Sequence, residues 1–245
     1  GDPDAIGEVV RAPGDAAGYL ELHIEQGAIL DRRGIDIGVV QGIVGIRRWN
    51  ITVEGVTNHA GTTPMDQRQD ALYAAARLVA LIRDEITAEA GSQVGTVGRI
   101  RAFPGAPNVI PGSVTMSLEI RDLAMDKIDR LFGRIGSASE ALARETSTTI
   151  RFDPFYESPA ALTDERWRER VAASAEAAGL STLAMPSGAG HDAQSLAGIC
   201  PIGMIFVPSR NGVSHAPSEY TSPEDIENGA NVLLATLLMA DADFD

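Results

Sequence analysis

Histidine is the commonest metal ligand and the side chain that titrates nearest neutral pH, and this 245-residue chain holds four of them. His23 lies in Glu-Leu-His-Ile-Glu-Gln-Gly, His59 in Asn-His-Ala-Gly-Thr-Thr-Pro-Met, His191 in Ser-Gly-Ala-Gly-His-Asp-Ala and His215 in Gly-Val-Ser-His-Ala-Pro-Ser-Glu. Every setting is polar and punctuated by glycine or proline. None of the four is spent on a plain surface helix or an apolar run. Any one alone reads as a structural histidine; the four together point to chemistry. The single Cys200 sits in Gly-Ile-Cys-Pro-Ile-Gly-Met-Ile-Phe-Val and reads as a small core hydrophobe. With one cysteine there is neither a disulfide framework nor a thiolate zinc site, and a cytoplasmic setting is the default.

The elements that must position these residues follow from periodicity. Residues 17 to 27 read as a short strand in which Leu20, Leu22 and Ile24 pack while Tyr19, Glu21, His23 and Glu25 point the other way. Extended chain runs from Ile37 to Val56, interrupted at Gly38, Gly42 and Gly45. From Pro64 the period becomes helical, with Leu72, Ala75, Ala76, Val79, Ile82 and Ile86 on one face, Thr63 as the N-cap and Gly91 as the end. Val94 to Phe103 is a strand. Val114, Met116, Leu118 and Ile120 alternate with polar residues in another. An amphipathic helix starts near Met125, and a strand runs from Thr148 to Phe155.

Residues 49–157 therefore read β-α-β-β-α-β, the ferredoxin-like order of an antiparallel sheet with both helices on one face. Its edge strands invite pairing with a second copy. Outside it, a helix at Asp164 to Ala178, a glycine-rich loop at Ser187 to Gly190, a buried strand at Gly203 to Val207 and a last helix opened by Ser222-Pro223 suggest helices against a sheet. The fold class is α/β: a domain of residues 1–48 and 158–245, interrupted by a compact α+β insertion.

The 44% apolar content is ordinary for a globular protein, and no stretch of eighteen apolar residues exists to span a membrane. The net charge of −14 argues against nucleic acid and anionic membranes as partners. Lys127 is the sole lysine; the other cations are arginines, whose planar fork suits a carboxylate.

Seven motifs, in order, resemble the hydantoinase/carbamoylase family of metal-dependent amidohydrolases. They are Glu-Leu-His-Ile-Glu-Gln-Gly, Ile-Gly-Val-Val-Gln-Gly-Ile-Val-Gly, His-Ala-Gly-Thr-Thr-Pro-Met-Asp-Gln-Arg-Gln-Asp-Ala, Pro-Asn-Val-Ile-Pro-Gly, Glu-Ile-Arg-Asp, Ser-Gly-Ala-Gly-His-Asp-Ala and Ser-His-Ala-Pro-Ser-Glu. The family includes N-carbamoyl-L-amino acid hydrolases, allantoate amidohydrolases and β-ureidopropionases. The resemblance implies a zinc-peptidase-like catalytic domain, part of it present here, interrupted by a ferredoxin-like dimerisation (lid) domain.

It also implies roles. His23 and His215 match ligands of two divalent metal ions (zinc, manganese, cobalt or nickel) that polarise the substrate carbonyl and activate a water. Gln26, Asn108, Gly190 and His191 match substrate contacts, and Arg121 matches the grip on the substrate carboxylate. His59 matches a histidine that contacts substrate and stabilises the developing oxyanion in the partner subunit of a homodimer. Taken without the resemblance, Arg121 reads as an ion pair with Glu119 or Asp122, Asn108 as a turn residue and His23 as a core histidine.

Members of the family extend further at the N-terminus, and there they carry a histidine ligand, a bridging aspartate, a glutamate ligand and a glutamate base. Residues 1–16 offer no match to these, so the expectation is that this chain alone is inactive. The leading reading is hydrolysis of a carbamoyl or ureido C–N bond in a small carboxylate substrate. Competing readings are a non-catalytic dimerisation or ligand-binding module, and an aminopeptidase or aminoacylase of the same clan.

Overall fold

The computed structural model describes residues 2–242. In chain order the first elements are β1 (Tyr19–Ile24), α1 (Ile29–Arg33), β2 (Ile37–Ile43), β3 (Gly45–Glu54), β4 (Asn58–His59) and α2 (Ala71–Thr87). Next come β5 (Val94–Phe103), β6 (Val109–Ile110), β7 (Ser113–Asp122), α3 (Met125–Thr146) and β8 (Thr149–Ser158). The last are β9 (Ala161–Leu162), α4 (Glu165–Ala177), β10 (Thr182–Ser187), α5 (Asp192–Leu196), β11 (Ile202–Val207) and α6 (Pro223–Asp241). Among the described residues no helix is long and apolar enough to cross a membrane.

The chain divides into two compact units. One comprises the chain up to Val44 and from Ala161 on; the other is Gly45–Ala160. In the first, the sheet order is β1-β11-β2-β10, with β9 beside β2. β1 runs parallel to β11 and β10 parallel to β2, while β11 and β2 are antiparallel. All six residues of β11 are buried, as a strand covered on both faces must be. On one face Ile205 and Val207 pack with Val171 of α4 and Val232 of α6. On the other, Met204 and Phe206 pack with Leu30 of α1 and Ala193 of α5.

In the second unit the sheet order is β5-β7-β3-β8, antiparallel throughout, with α2 and α3 between the strands in sequence. This is the β-α-β-β-α-β arrangement, with β3 starting at Gly45, ahead of residue 49, and β8 ending at Ser158, just past residue 157. Val114, Met116, Leu118 and Ile120 of β7 are buried, and their alternates Thr115, Ser117, Glu119 and Arg121 are half-buried on the opposite face. Trp49 stacks on Phe132 at 4.2 Å between ring centroids, closing the core between β3 and α3.

Local details differ from the periodicity reading. Residues 65–67 form a single 3-10 turn, and α2 starts only at Ala71. Its N-cap is Asp70, whose carboxylate accepts from the amides of Leu72 (2.9 Å) and Tyr73 (3.1 Å). Thr63 instead turns its hydroxyl back onto the His59 carbonyl. Side-chain bonding to local backbone competes with capping, and Met65, 78% exposed, supplies no apolar contact to extend the helix. The buried face of α2 is Ala71, Ala74, Ala75, Leu78, Ile82 and Ile86, so Leu72 and Ala76 face solvent. The helix closes at Thr87, ahead of Gly91. Strand β10 and helix α5 border the glycine-rich loop at Ser187 to Gly190, and periodicity marks neither of them.

Asp70→Ala should cost about 1 kcal/mol, the usual effect of removing an N-cap carboxylate, whereas Thr63→Ala should leave the α2 helix at full stability. Equilibrium urea unfolding of the two variants checks this; equal losses would return the cap to Thr63.

Candidate functional site

Strand β1 places Glu21 and His23 two residues apart on one face. Over that face lies His191, the N-cap residue of α5. Glu21, His23 and His191 each offer an atom, all within 4.8 Å of one another, so together they form a group able to hold a metal ion. The His23 and His191 rings meet edge-to-face at 4.6 Å. His23 donates from Nδ1 to the Ile24 carbonyl at 2.8 Å. That bond fixes the neutral tautomer and leaves the Nε2 lone pair available, which is how metal-bound histidines are oriented. His23 therefore fits a metal ligand by its own hydrogen bonding.

His191 is held differently. Its side chain is 1% exposed, with Nδ1 3.5 Å from Glu21 Oε1. Its Nε2 lies 2.7 Å from the Ser187 hydroxyl. Glu21 Oε2 also accepts from the Ala193 amide at the start of α5, at 2.9 Å. With both ring nitrogens engaged, His191 could ligate a metal only by giving up one of these contacts. Burial, and then the neighbouring His23, push its pKa down to about 4, against an opposing pull from Asp192. Sequence reasoning assigned Glu21 no role; its i, i+2 spacing from His23 was the available signal.

The parallel pairing puts His23 opposite Phe206 and Ile24 opposite Val207. Gln26 and the loop bearing His215 thus both emerge from the carboxyl ends of β1 and β11, where open α/β sheets bind ligands. The two segments are tied together. The Gln26 amide donates to Ser209 Oγ at 3.0 Å, and the Asn211 amide to Asp31 Oδ2 at 2.9 Å. Gln26 and His215 both hold a left-handed backbone, with φ of 57° each. Non-glycine residues rarely do so, and those that do concentrate at ligand-handling sites. His215 is exposed and does not join the group formed by Glu21, His23 and His191; its amide donates to Glu219 at 2.9 Å. Gly190, exposed, lies on the turn between β10 and His191.

In the second unit, β4 and β6 form a two-stranded ribbon that pairs His59 with Val109, and the Ala60 amide donates to the Asn108 carbonyl at 3.0 Å. His59 and Asn108 are thereby neighbours. The Gly61 amide donates to His59 Nδ1 at 3.0 Å. In a neutral ring that leaves the proton on Nε2, so the exposed edge of His59 is a hydrogen-bond donor. Arg121 stands on β7 with its Nε donating to Glu119 at 2.6 Å, and Arg48 donates to the other oxygen of Glu119 at 2.5 Å. Burial pushes the Glu119 carboxyl up, but the hydrogen bonds from Arg121 and Arg48 outweigh it and hold it below the usual carboxylate range.

The model of the peptidase M20/M25/M40 family matches residues 1–239. The chain belongs to that family. Among its M20 relatives, the N-carbamoyl-L-amino acid amidohydrolase of Geobacillus stearothermophilus is 39% identical over 236 residues, covering 96% of this chain and 58% of the relative. The allantoate amidohydrolase of Bacillus subtilis is 39% identical over 222 residues, 89% of this chain and 53% of the relative. A solved hydantoinase/carbamoylase-family amidase from Burkholderia multivorans superposes with a TM-score of 0.87 at 35% identity, covering 91% of this chain and 54% of that one. The chain thus spans a little over half the length of the relatives it matches.

In metal-free protein the His191 imidazole should titrate near pH 4 rather than 6.5. Its folded pKa lies below the unfolded one, so between those values the unfolded chain binds a proton that the folded chain does not. Stability should therefore fall as pH drops through that window. NMR titration of the ring and urea unfolding at pH 7 and pH 4.5 test both halves; a midpoint near 6.5 would refute them.

Proposed function

We propose that this chain is part of a metal-dependent amidohydrolase that cleaves a carbamoyl or ureido C–N bond in a small carboxylate substrate, such as an N-carbamoyl-L-amino acid or allantoate. The observation that carries the reading is the 39% identity, over 96% of the chain, to a relative named as an N-carbamoyl-L-amino acid amidohydrolase. His23 and His215 are the ligands this chain contributes to a pair of divalent ions, and the Nε2 lone pair left on His23 supports that role. When bound, such ions polarise the scissile carbonyl and lower the pKa of a water. Arg121 grips the substrate carboxylate; Gln26, Asn108, Gly190 and His191 line the substrate. His59 donates from Nε2 to the oxygen on which negative charge develops, a role supported by the Gly61 amide on its Nδ1.

The protein acts as a homodimer in the cytoplasm, assembled through the unit that contains residues 49–157. The edges of that sheet, β5 and β8, expose Val94, Ile100, Phe103, Phe155 and Tyr156, an apolar margin suited to a second copy. In that assembly each subunit's His59 serves the other's metal site.

The test uses protein of the relatives' full length. Arg121→Ala should weaken transition-state binding of the carboxylate substrate by about 2–3 kcal/mol, the worth of a charge-assisted contact, with metal content unchanged. Arg121→Lys should recover only part, lacking the planar fork. Steady-state kinetics decide: an equal loss on a neutral amide analogue means that Arg121 is not the carboxylate grip. A separate measurement addresses the dimer. His59→Ala and His215→Ala chains, each impaired, should regain activity when mixed, because one site of the heterodimer keeps both residues. Absence of recovery after verified subunit exchange removes His59 from the partner's site.

A further inference from the structure

The turn that follows His59 is held by one side chain outside it. Arg68 donates from Nη2 to the Ala60 carbonyl at 2.6 Å and from Nε to the Thr63 carbonyl at 3.1 Å. Its guanidinium spans the beginning and the end of the turn. Between those points, the Gly61 amide points at His59 Nδ1, and the Thr63 amide and hydroxyl both donate to the His59 carbonyl, at 3.2 and 2.8 Å. Residues 61, 62 and 64–67 are exposed, whereas Arg68 is half-buried. A turn this exposed has little apolar contact to hold its shape.

The base from which Arg68 reaches is fixed. The next residue, Gln69, accepts the Val56 amide at 2.8 Å, and a side-chain carbon on Gly55 would collide with that same Gln69 carbonyl. Asp70 caps α2, and the Ala71 amide donates to the Pro111 carbonyl at 3.1 Å. Arg68 thus connects a well-anchored helix start to an exposed turn through two charge-assisted hydrogen bonds of fixed relative geometry, which a planar guanidinium can make and an ammonium cannot.

We infer that Arg68 is the positioning residue for His59: by fixing the Ala60 and Thr63 carbonyls it aims the Gly61 amide at Nδ1 and so presents His59 as an Nε2–H donor. The inference rests on the proposed function for its catalytic meaning, but its test does not. Two signals are read in the 245-residue chain by NMR: the nitrogen shifts of the His59 ring above its titration, and hydrogen exchange of the Gly61 amide. The wild-type ring should be a single Nε2–H tautomer with a protected Gly61 amide. In Arg68→Ala the ring should show mixed tautomers, and the Gly61 amide should exchange at least about tenfold faster, the factor set by losing one charge-assisted bond. Arg68→Lys should fall between. Unchanged ring shifts and exchange in a folded Arg68→Ala overturn the inference. Should that variant not fold, Arg68→Lys and the wild-type Arg68 Nε–H decide: a fast-exchanging Nε–H, or a Lys variant identical to wild type, also overturns it. In full-length protein, a disturbed His59 ring with kcat unaltered leaves the positioning intact and removes the oxyanion role from His59.

Discussion

The parallel pairing of β1 with β11 is the constraint on which the unit carrying Glu21, His23 and His191 depends. Parallel neighbours cannot be joined by a tight turn, and here most of the chain lies between them. Bringing Tyr19 beside Ile202 closes a very long loop, which is offset by the burial of all six β11 residues. The fit is close. A side-chain carbon on Gly203 would lie 2.8 Å from both Leu20 and Trp167, so glycine is what allows α4 and β1 to approach the strand there. Once that pairing exists, His23, Gln26 and the His215 loop have their relative positions as a by-product of register.

The second unit solves a different problem: how to display polar groups firmly on an exposed ribbon. Its core lies under α2 and α3, away from His59 and Asn108, and the ribbon β4–β6 is only two residues long in each strand. Ile110 of β6 is buried, whereas β4 is exposed and is held by the backbone bond from Ala60 to Asn108 and by side-chain bonds within the turn. Arg121 is placed by the opposite means, on a long central strand, with Glu119 and Arg48 setting its direction.

Much of this was legible in the sequence where one pattern dominated. The alternation along β7 and the order of strands and helices in residues 49–157 could be read because each element has a single buried face. The start of α2 could not, because Thr63-Pro64 carries a strong capping signal that a local bond to the His59 carbonyl overrides. Strand β10 and α5 were missed because they are short and flank the glycines at 188 and 190. The side chains with implied roles were found through motifs, yet the approach of Glu21 to His191 and the Ala193 amide was invisible, since it joins β1 to a segment some 170 residues further along the chain.

Gly42 pairs with Leu162 and Ile43 with Ala161, so the points where the chain departs at Val44 and returns at Ala161 are antiparallel neighbours in the sheet. That junction has the geometry of a hairpin whose turn has been replaced by an entire folded unit. Because its ends are already adjacent, the insertion adds little closure entropy, and the sheet senses only a connection between β2 and β9. A short tight turn spliced at the same place would meet the same hydrogen-bonding requirement, which makes this position a natural seam at which recombination could gain, lose or exchange a domain without redesigning the sheet beneath it.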